Sequence, residues 1–466
     1  MEKISAITYI NCILSRMAYF DADKFADKYN KVFALKGLQS HLSALKTASF
    51  SSMADGVMTN AALRTVSVAV NRIHSAKDSR QDRIPSPSKH MKYISISTSN
   101  YSSVYVIADK RTHCITVGFR GTASLKSMRS YLKASSILPM RAQLCDSSDN
   151  SDPEDREDGY LIGTFKLVGE MYYTILAAIH MLSKDFLDMK TKNVKLVTTG
   201  HSLGGACAQV FAYLWIKKHP DHHICCNTFG APRVMNVYAA EKFADLAIGK
   251  SKHILFRRVV TLGDPIPHLP LKQTSISALR TYSHVDETRD LDVGGPLVLM
   301  CTNFKKTRKL ECAPKNVVKR NAKWTRRASV TQTKGSHGSY IGLRFEKMGH
   351  GVFNPLHEIV RVGKTRDTMC RVIVGQHDGT TISFFNLQTI KTPNMGALSM
   401  MAQKIKKVAV VDYTHADIYM TARVFADVVR AGTEMTTDTD PLRADNDNCV
   451  ALNLVGVAPQ PRLVCA

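Results

Sequence analysis

Ser202 stands in Gly200-His201-Ser202-Leu203-Gly204-Gly205. The β-branched apolar run Val194-Lys195-Leu196-Val197-Thr198-Thr199 precedes it, and the helix-forming stretch Ala206-Cys207-Ala208-Gln209-Val210-Phe211-Ala212 follows. A hydroxyl at that point is placed to attack an acyl carbonyl, because strand, tight turn and helix together form a nucleophile elbow. The serine sits at the tip of a strained turn, and glycines two residues to either side let strand and helix pass without a Cβ clash. Gly-x-Ser-x-Gly alone arises by chance in chains of this length, so a serine in a Gly-rich turn is the plain alternative. The flanking strand and helix are what favour the elbow. Such a serine also needs a base, a carboxylate to orient that base, and donors for the oxyanion.

The elements that must position these groups are legible in outline. Residues 1–75 carry helical periodicity, and 76–90, rich in Ser, Asp, Arg and Pro, read as a loop. Stretches 93–97, 103–108 and 113–119 read as strands, the last ending in Arg120-Gly121-Thr122. A short helical stretch at 124–136 comes next, then Leu138-Pro139 and an acidic run over 146–158. A long helix at 161–183 leads into the elbow, and strands at 225–229 and 254–261 enclose another helix. This alternation predicts an α/β fold with a mainly parallel central sheet flanked by helices. Beyond 345, strands are expected at 371–374 and 381–387 and a helix at 417–430. The acidic, Pro-containing stretch 433–466 reads as a disordered tail. The chain thus divides into a helical N-terminal segment (1–92), a core (93–345) and a C-terminal extension or small module (346–432). The core carries a lid and acidic insertion at 123–160 and a basic insertion at 303–334.

In α/β-hydrolases the triad runs Ser, Asp, His along the chain, so the partners of Ser202 lie after it. Gly263-Asp264-Pro265-Ile266-Pro267-His268-Leu269-Pro270 directly follows a strand, and its prolines hold Asp264 at the sheet's C-terminal edge. An Asp-Pro turn without chemistry is the alternative there. With these segments in view, residues 93–345 resemble the class 3 (fungal-type) triacylglycerol lipases of the α/β-hydrolase fold. Phe119-Arg120-Gly121-Thr122 is similar to that family's strand end at the oxyanion hole. Ser127 to Leu132 with Leu138-Pro139 is similar to its lid, and Gly200 to Gly205 and Asp264 to Pro270 to its elbow and aspartate loop. Tyr282-Ser283-His284 with Glu287 looks like its strand after the aspartate, where the histidine is structural. The family's His-x-Gly-Phe element appears here as Asp158-Gly159-Tyr160, without its histidine.

The resemblance implies Ser202 as nucleophile, Asp264 as the residue orienting the base, and the backbone N–H groups of Leu203 and Thr122 as oxyanion donors. The family's base commonly sits in His-x-x-Tyr, which His337-Gly338-Ser339-Tyr340 matches. His415, just before the helix expected at 417–430, is the rival base. In the lid segment Leu125, Met128 and Leu132 share one helical face, while Lys126, Arg129 and Lys133 lie off it. Such a helix would tip its apolar face into a lipid surface.

Composition narrows the setting. The 466 residues carry a net charge of +24, and between 305 and 334 the eleven basic residues Lys305, Lys306, Arg308, Lys309, Lys315, Lys319, Arg320, Lys323, Arg326, Arg327 and Lys334 face Glu311 alone. That run suits an anionic lipid surface, or else is a solvated basic loop. Nucleic acid is the weaker option, since no zinc-finger, RNA-recognition or helix–turn–helix pattern accompanies the charge. No apolar run is long enough to span a membrane, and the N-terminus does not read as a secretory signal. Eleven cysteines without a Cys-x-x-Cys pair fit a reducing, cytoplasmic setting, or one peripheral to intracellular membranes. No cofactor is implied, and the His219, His222 and His223 cluster lacks zinc spacing. The expectation is a serine ester hydrolase acting on acylglycerol or phospholipid. A catalytically weak or inactive lipase-like scaffold is the alternative.

Overall fold

The computed structural model describes residues 4–20, 22–76, 90–98, 103–121, 137–139, 158–248, 254–261, 264, 266–270, 282–285, 297–301, 312–313, 337–345, 369–376 and 379–386. Four helices open the chain: α1 (Ala6–Met17), α2 (Ala22–Phe33), α3 (Lys36–Thr47) and α4 (Asn60–Ser75). Helices α1 and α4 are capped by side chains, since Ser5 and Thr59 accept from the backbone N–H groups of Thr8 and Ala62.

The strands at the heart of the molecule are β1 (Met91–Thr98), β2 (Ser103–Asp109), β3 (Cys114–Phe119), β4 (Ile137–Pro139), β5 (Gly159–Leu161), β6 (Lys195–His201), β7 (Ile224–Phe229), β8 (Met235–Asn236) and β9 (Ile254–Thr261). Later come β10 (Tyr282–Ser283), β11 (Leu297–Cys301), β12 (Cys312–Ala313), β13 (Ser339–Tyr340), β14 (Leu343–Arg344), β15 (Met369–Gln376) and β16 (Gly379–Asn386). The main sheet has the order β12-β11-β9-β7-β6-β3-β2-β1-β15-β16. Its centre, from β3 through β6, β7 and β9 to β11, is parallel, and antiparallel strands flank it at both ends. β15 and β16 run longer than their patterns at 371–374 and 381–387 suggest, and extend the sheet beyond β1. The helix expected at 417–430 and the tail 433–466 lie outside the described residues.

Three more helices, α5 (Ile162–Met181), α6 (Leu203–Lys218) and α7 (Val237–Ile248), pack on one face of the sheet with Ile115, Val117, Leu196, Ile224 and Cys226. The opposite face, through Tyr105, Val197, Cys225 and Val259, is covered by the N-terminal helices. Adjacent Cys225 and Cys226 therefore face opposite layers, as the two-residue period of a strand requires. Both are fully buried, and burial pushes both thiols up to about 12.

α1 is buried along its whole length. Its polar residues meet the sheet rather than water: Ser15 Oγ lies 2.8 Å from Thr199 Oγ1, and Arg257 donates to Thr8 Oγ1 at 2.9 Å. Buried polar groups settled in this way fix one register of helix on sheet.

Candidate active site

β6 ends at His201 and α6 begins at Leu203, so Ser202 alone makes the turn, with φ 58° and ψ −127°. That backbone region is costly for a residue with a Cβ, at about 1–3 kcal/mol. Its surroundings hold it: the Ser202 N–H donates to the carbonyl of Phe229, at the end of β7, at 2.8 Å. The glycines are required for close approach. A Cβ on Gly200 would land on the backbone of Gly204, and one on Gly204 would land on the carbonyl of Phe119.

Asp264 follows β9 and is fully buried. Its N–H donates to Thr261 O at 3.0 Å, and its Oδ1 accepts the N–H of Ile266 at 2.9 Å. A short turn over Ile266–His268 continues the loop. His284 Nε2 donates to Pro267 O at 2.6 Å, so this histidine braces the aspartate loop from beneath.

His337 arrives from far along the chain. Its Nδ1 lies 2.8 Å from Asp264 Oδ2 and its Nε2 3.0 Å from Ser202 Oγ. A carboxylate only accepts, so Nδ1 carries the proton, and Nε2 is left to accept from the serine hydroxyl. Tyr340 also donates its O–H to Asp264 Oδ2, which gives the tyrosine of His-x-x-Tyr a physical task. The carboxylate thus receives Ile266, His337 and Tyr340, three donors that compensate its burial.

His201 was legible only as part of the elbow motif, yet it links three elements. Its Nε2 donates to the backbone carbonyl of His337 at 2.9 Å, and its Nδ1 accepts from the Tyr19 O–H at 2.8 Å. Its ring stacks on Phe345 at 4.2 Å and lies 4.7 Å from that of His337. Burial, with the neighbouring His337 as a second cause, holds the His201 imidazole well below its usual value. It is therefore neutral, and the neutral form has the one donor and one acceptor that these partners demand. No local pattern marks Tyr19 for this role.

Leu203 is the first residue of α6, so its N–H lies among the open donors of a helix N-terminus, directly after Ser202. Gly121, just before Thr122, lies against Tyr19 and the carbonyl of His201. Thr122 itself, the lid residues Leu125, Met128 and Leu132, the rival base His415, and the eleven basic residues from Lys305 to Lys334 lie outside the described residues.

Two further sequence features have structural accounts. Asp158, where the family's histidine is missing, is buried and accepts from Tyr213 at 2.9 Å. Lys217 and Lys242 lie 3.2 and 3.3 Å from its oxygens. The His219 and His222 rings stack on each other at 4.8 Å beside Trp215, and His223 stacks on Phe50 at 4.7 Å. Among the described residues, no group of three or more His, Cys, Asp or Glu is placed to hold a metal ion.

The sequence profile of the lipase (class 3) family matches residues 116–274. A comparison with curated proteins finds no match. Similar solved structures include the Rhizomucor miehei lipase propeptide complex, at 21% identity over 53% of this chain and 67% of that one, with a TM-score of 0.36. A lipase from Rhizopus microsporus var. chinensis is 19% identical over 56% of this chain and 77% of that one, with a TM-score of 0.38. A mutant form of MDLA from Penicillium cyclopium is 16% identical over 72% of this chain and 94% of that one, with a TM-score of 0.39. His337 and the N-terminal helices fall outside the matched segment, whereas strand β3 from Thr116 onward, the elbow and the aspartate loop fall inside it. Residues 116–274, carrying Ser202 and Asp264, are thus similar to the lipase (class 3) family.

Proposed function

We propose that the protein is a serine ester hydrolase acting on lipid esters through Ser202, His337 and Asp264. One observation carries the reading: His337 bridges Ser202 Oγ and Asp264, both inside the segment that matches the class 3 lipases, at 3.0 and 2.8 Å. Ser202 Oγ attacks the acyl carbonyl while His337 Nε2 takes its proton. Asp264, held by Ile266 and Tyr340, keeps the imidazole in the tautomer that accepts at Nε2 and stabilises the imidazolium. The N–H groups of Leu203 and Thr122 receive the oxyanion. His337 then returns the proton to the leaving alcohol, and water hydrolyses the acyl-enzyme by the same route.

Ser202 is 2% exposed, so a lipid reaches it only when the site opens. In this reading the apolar stripe of Leu125, Met128 and Leu132 swings out against a lipid surface, with Lys126, Arg129 and Lys133 beside the headgroups. The run from Lys305 to Lys334 adds attraction to anionic lipid. The substrate is thus an acylglycerol or phospholipid presented at a membrane or droplet surface. No helix among the described residues is long and apolar enough to cross a membrane. A cytoplasmic or membrane-peripheral setting goes with the buried, free thiols of Cys12, Cys114, Cys207, Cys225 and Cys226.

The test is labelling by a fluorophosphonate probe in the presence of lipid vesicles, comparing wild type with Ser202→Ala, His337→Ala and His415→Ala. Labelling lost in Ser202→Ala and His337→Ala but kept in His415→Ala is expected. Loss in His415→Ala instead transfers the base role, and an unlabelled wild type points to an interaction scaffold. Vesicle co-sedimentation tests the surface: binding should rise with phosphatidylserine content and weaken with salt.

A further inference from the structure

His337 lies just ahead of a tight hairpin, β13 to β14, in which Ser339 pairs with Arg344 and Tyr340 with Leu343. The two loop residues, Ile341 and Gly342, both have positive φ, at 46° and 76°. Such a pair is the signature of a type I′ turn, which Asn and Gly adopt readily and a β-branched isoleucine does not. The hairpin is therefore strained at Ile341, and something outside it must hold it closed.

Helix α4 supplies that hold. Ser67 Oγ donates to the carbonyl of Ile341 at 3.3 Å, and Asn71 Nδ2 donates to the carbonyl of Gly342 at 2.8 Å. The two side chains are four residues apart and so share a helix face. Asn71 Oδ1 accepts on the other side, from the Arg344 N–H at 3.1 Å and from Arg16 of α1 at 2.6 Å. Arg16 only donates, so it settles which end of the amide faces Gly342. Tyr9 of α1 completes the set by donating to Ser67 Oγ at 2.7 Å.

We propose that Asn71 is a positioning residue for His337, acting through the Ile341–Gly342 turn; this rests on the hydrolase reading above. The residue makes no contact with the triad. It sets the hairpin that places both the His337 ring and the Tyr340 hydroxyl on Asp264. Ser67 is its partner in this task, and the N-terminal helices thereby serve the active site as well as the core.

The experiment compares wild type, Asn71→Ala, Ser67→Ala and the control Leu38→Ala, which opens a hole in the same helical layer and removes no bond to the hairpin. Two readouts are taken: kcat and KM on a short-chain ester, and the low-field proton resonance of His337 Nδ1–H, recognised by its loss in His337→Ala. Asn71→Ala should lower kcat by about tenfold to a hundredfold with KM within about twofold, and should broaden or erase the resonance. Ser67→Ala, the gentler cut, should lower kcat several-fold. Leu38→Ala should lower the melting temperature at least as much, yet keep kcat and the resonance. The proposal is overturned if both hairpin variants keep wild-type kcat and resonance, if Leu38→Ala loses them equally, or if wild type lacks the resonance. A wild type that shows the resonance but hydrolyses nothing defeats the hydrolase reading, and the resonance alone then decides the role of Asn71.

Discussion

Ser202 and His337 meet at 3.0 Å, but the chain holds them in opposite ways. Ser202 is placed by its immediate neighbours. Strand β6 runs into it, α6 runs out of it, and glycines at 200 and 204 permit the crossing. The histidine sits just ahead of a strained hairpin whose turn accepts from Ser67 and Asn71, on a helix far away in sequence. A local device costs little loop-closure entropy and forms with its own strand and helix, whereas a clamp between distant segments is complete only when the whole layer is. The two halves of the site should therefore fail differently when disturbed.

The largest effect belongs to the elbow. Ser202→Ala should reduce kcat by on the order of 10⁴-fold or more without loss of fold, as steady-state turnover and near-ultraviolet circular dichroism would show. Activity within about tenfold of wild type would remove Ser202 from the chemistry. Next comes the histidine side. Tyr340→Phe deletes one of three donors to a buried carboxylate, a loss of about 1–3 kcal/mol, and should lower kcat roughly tenfold with little change in KM. An unchanged kcat would mean that Ile266 and His337 satisfy Asp264 unaided.

A third effect separates the two regions by pH. Burial holds His201 and His74 well below the usual imidazole value, with Arg16 and Lys28 adding to the effect at His74. The unfolded chain therefore binds more protons than the folded one below about pH 6.5. Stability is full above that value and declines as the pH falls, by at most about 1.4 kcal/mol per pH unit for each histidine. Urea melts from about pH 7.5 down to about pH 5 should show the decline, and His74→Leu should remove the share that comes from the N-terminal layer. An identical slope in that variant would assign the whole decline elsewhere. The smallest effect returns to the elbow: Ser202→Gly relieves the positive φ and should raise stability by about 1 kcal/mol, measured by the same melts. A destabilised glycine variant would show that the turn is not strained.

Legibility followed the same division. The elbow was readable because its requirements are local: an apolar β-branched strand, small residues at two fixed positions, and a helix-forming stretch that opens with small residues. The parallel centre of the sheet followed from strand and helix alternation, and Asp264 from a proline-bound loop after a strand. His337 was readable through Tyr340 three residues later. Its rival, His415, could be ranked below it by that spacing but not excluded. The hold of Tyr19 on His201 and of Asn71 on Gly342 left no pattern to read. At best, Ser67 in the buried stripe of Leu63, Val66, Val70 and His74 marks a polar residue that needs a partner. The N-terminal helices read as a segment of their own, yet they form the second layer of the sheet.

Taken alone, the order of residues determined which groups are chemically competent and which short stretches must bend, extend or coil, because these depend on side-chain type and on the periods of strand and helix. Only the tertiary structure decided which histidine faces Ser202, which tautomer His201 holds, and what keeps the Ile341–Gly342 turn closed. Those are contacts between segments far apart in the chain, made by burial and by hydrogen bonds that have no counterpart in local sequence.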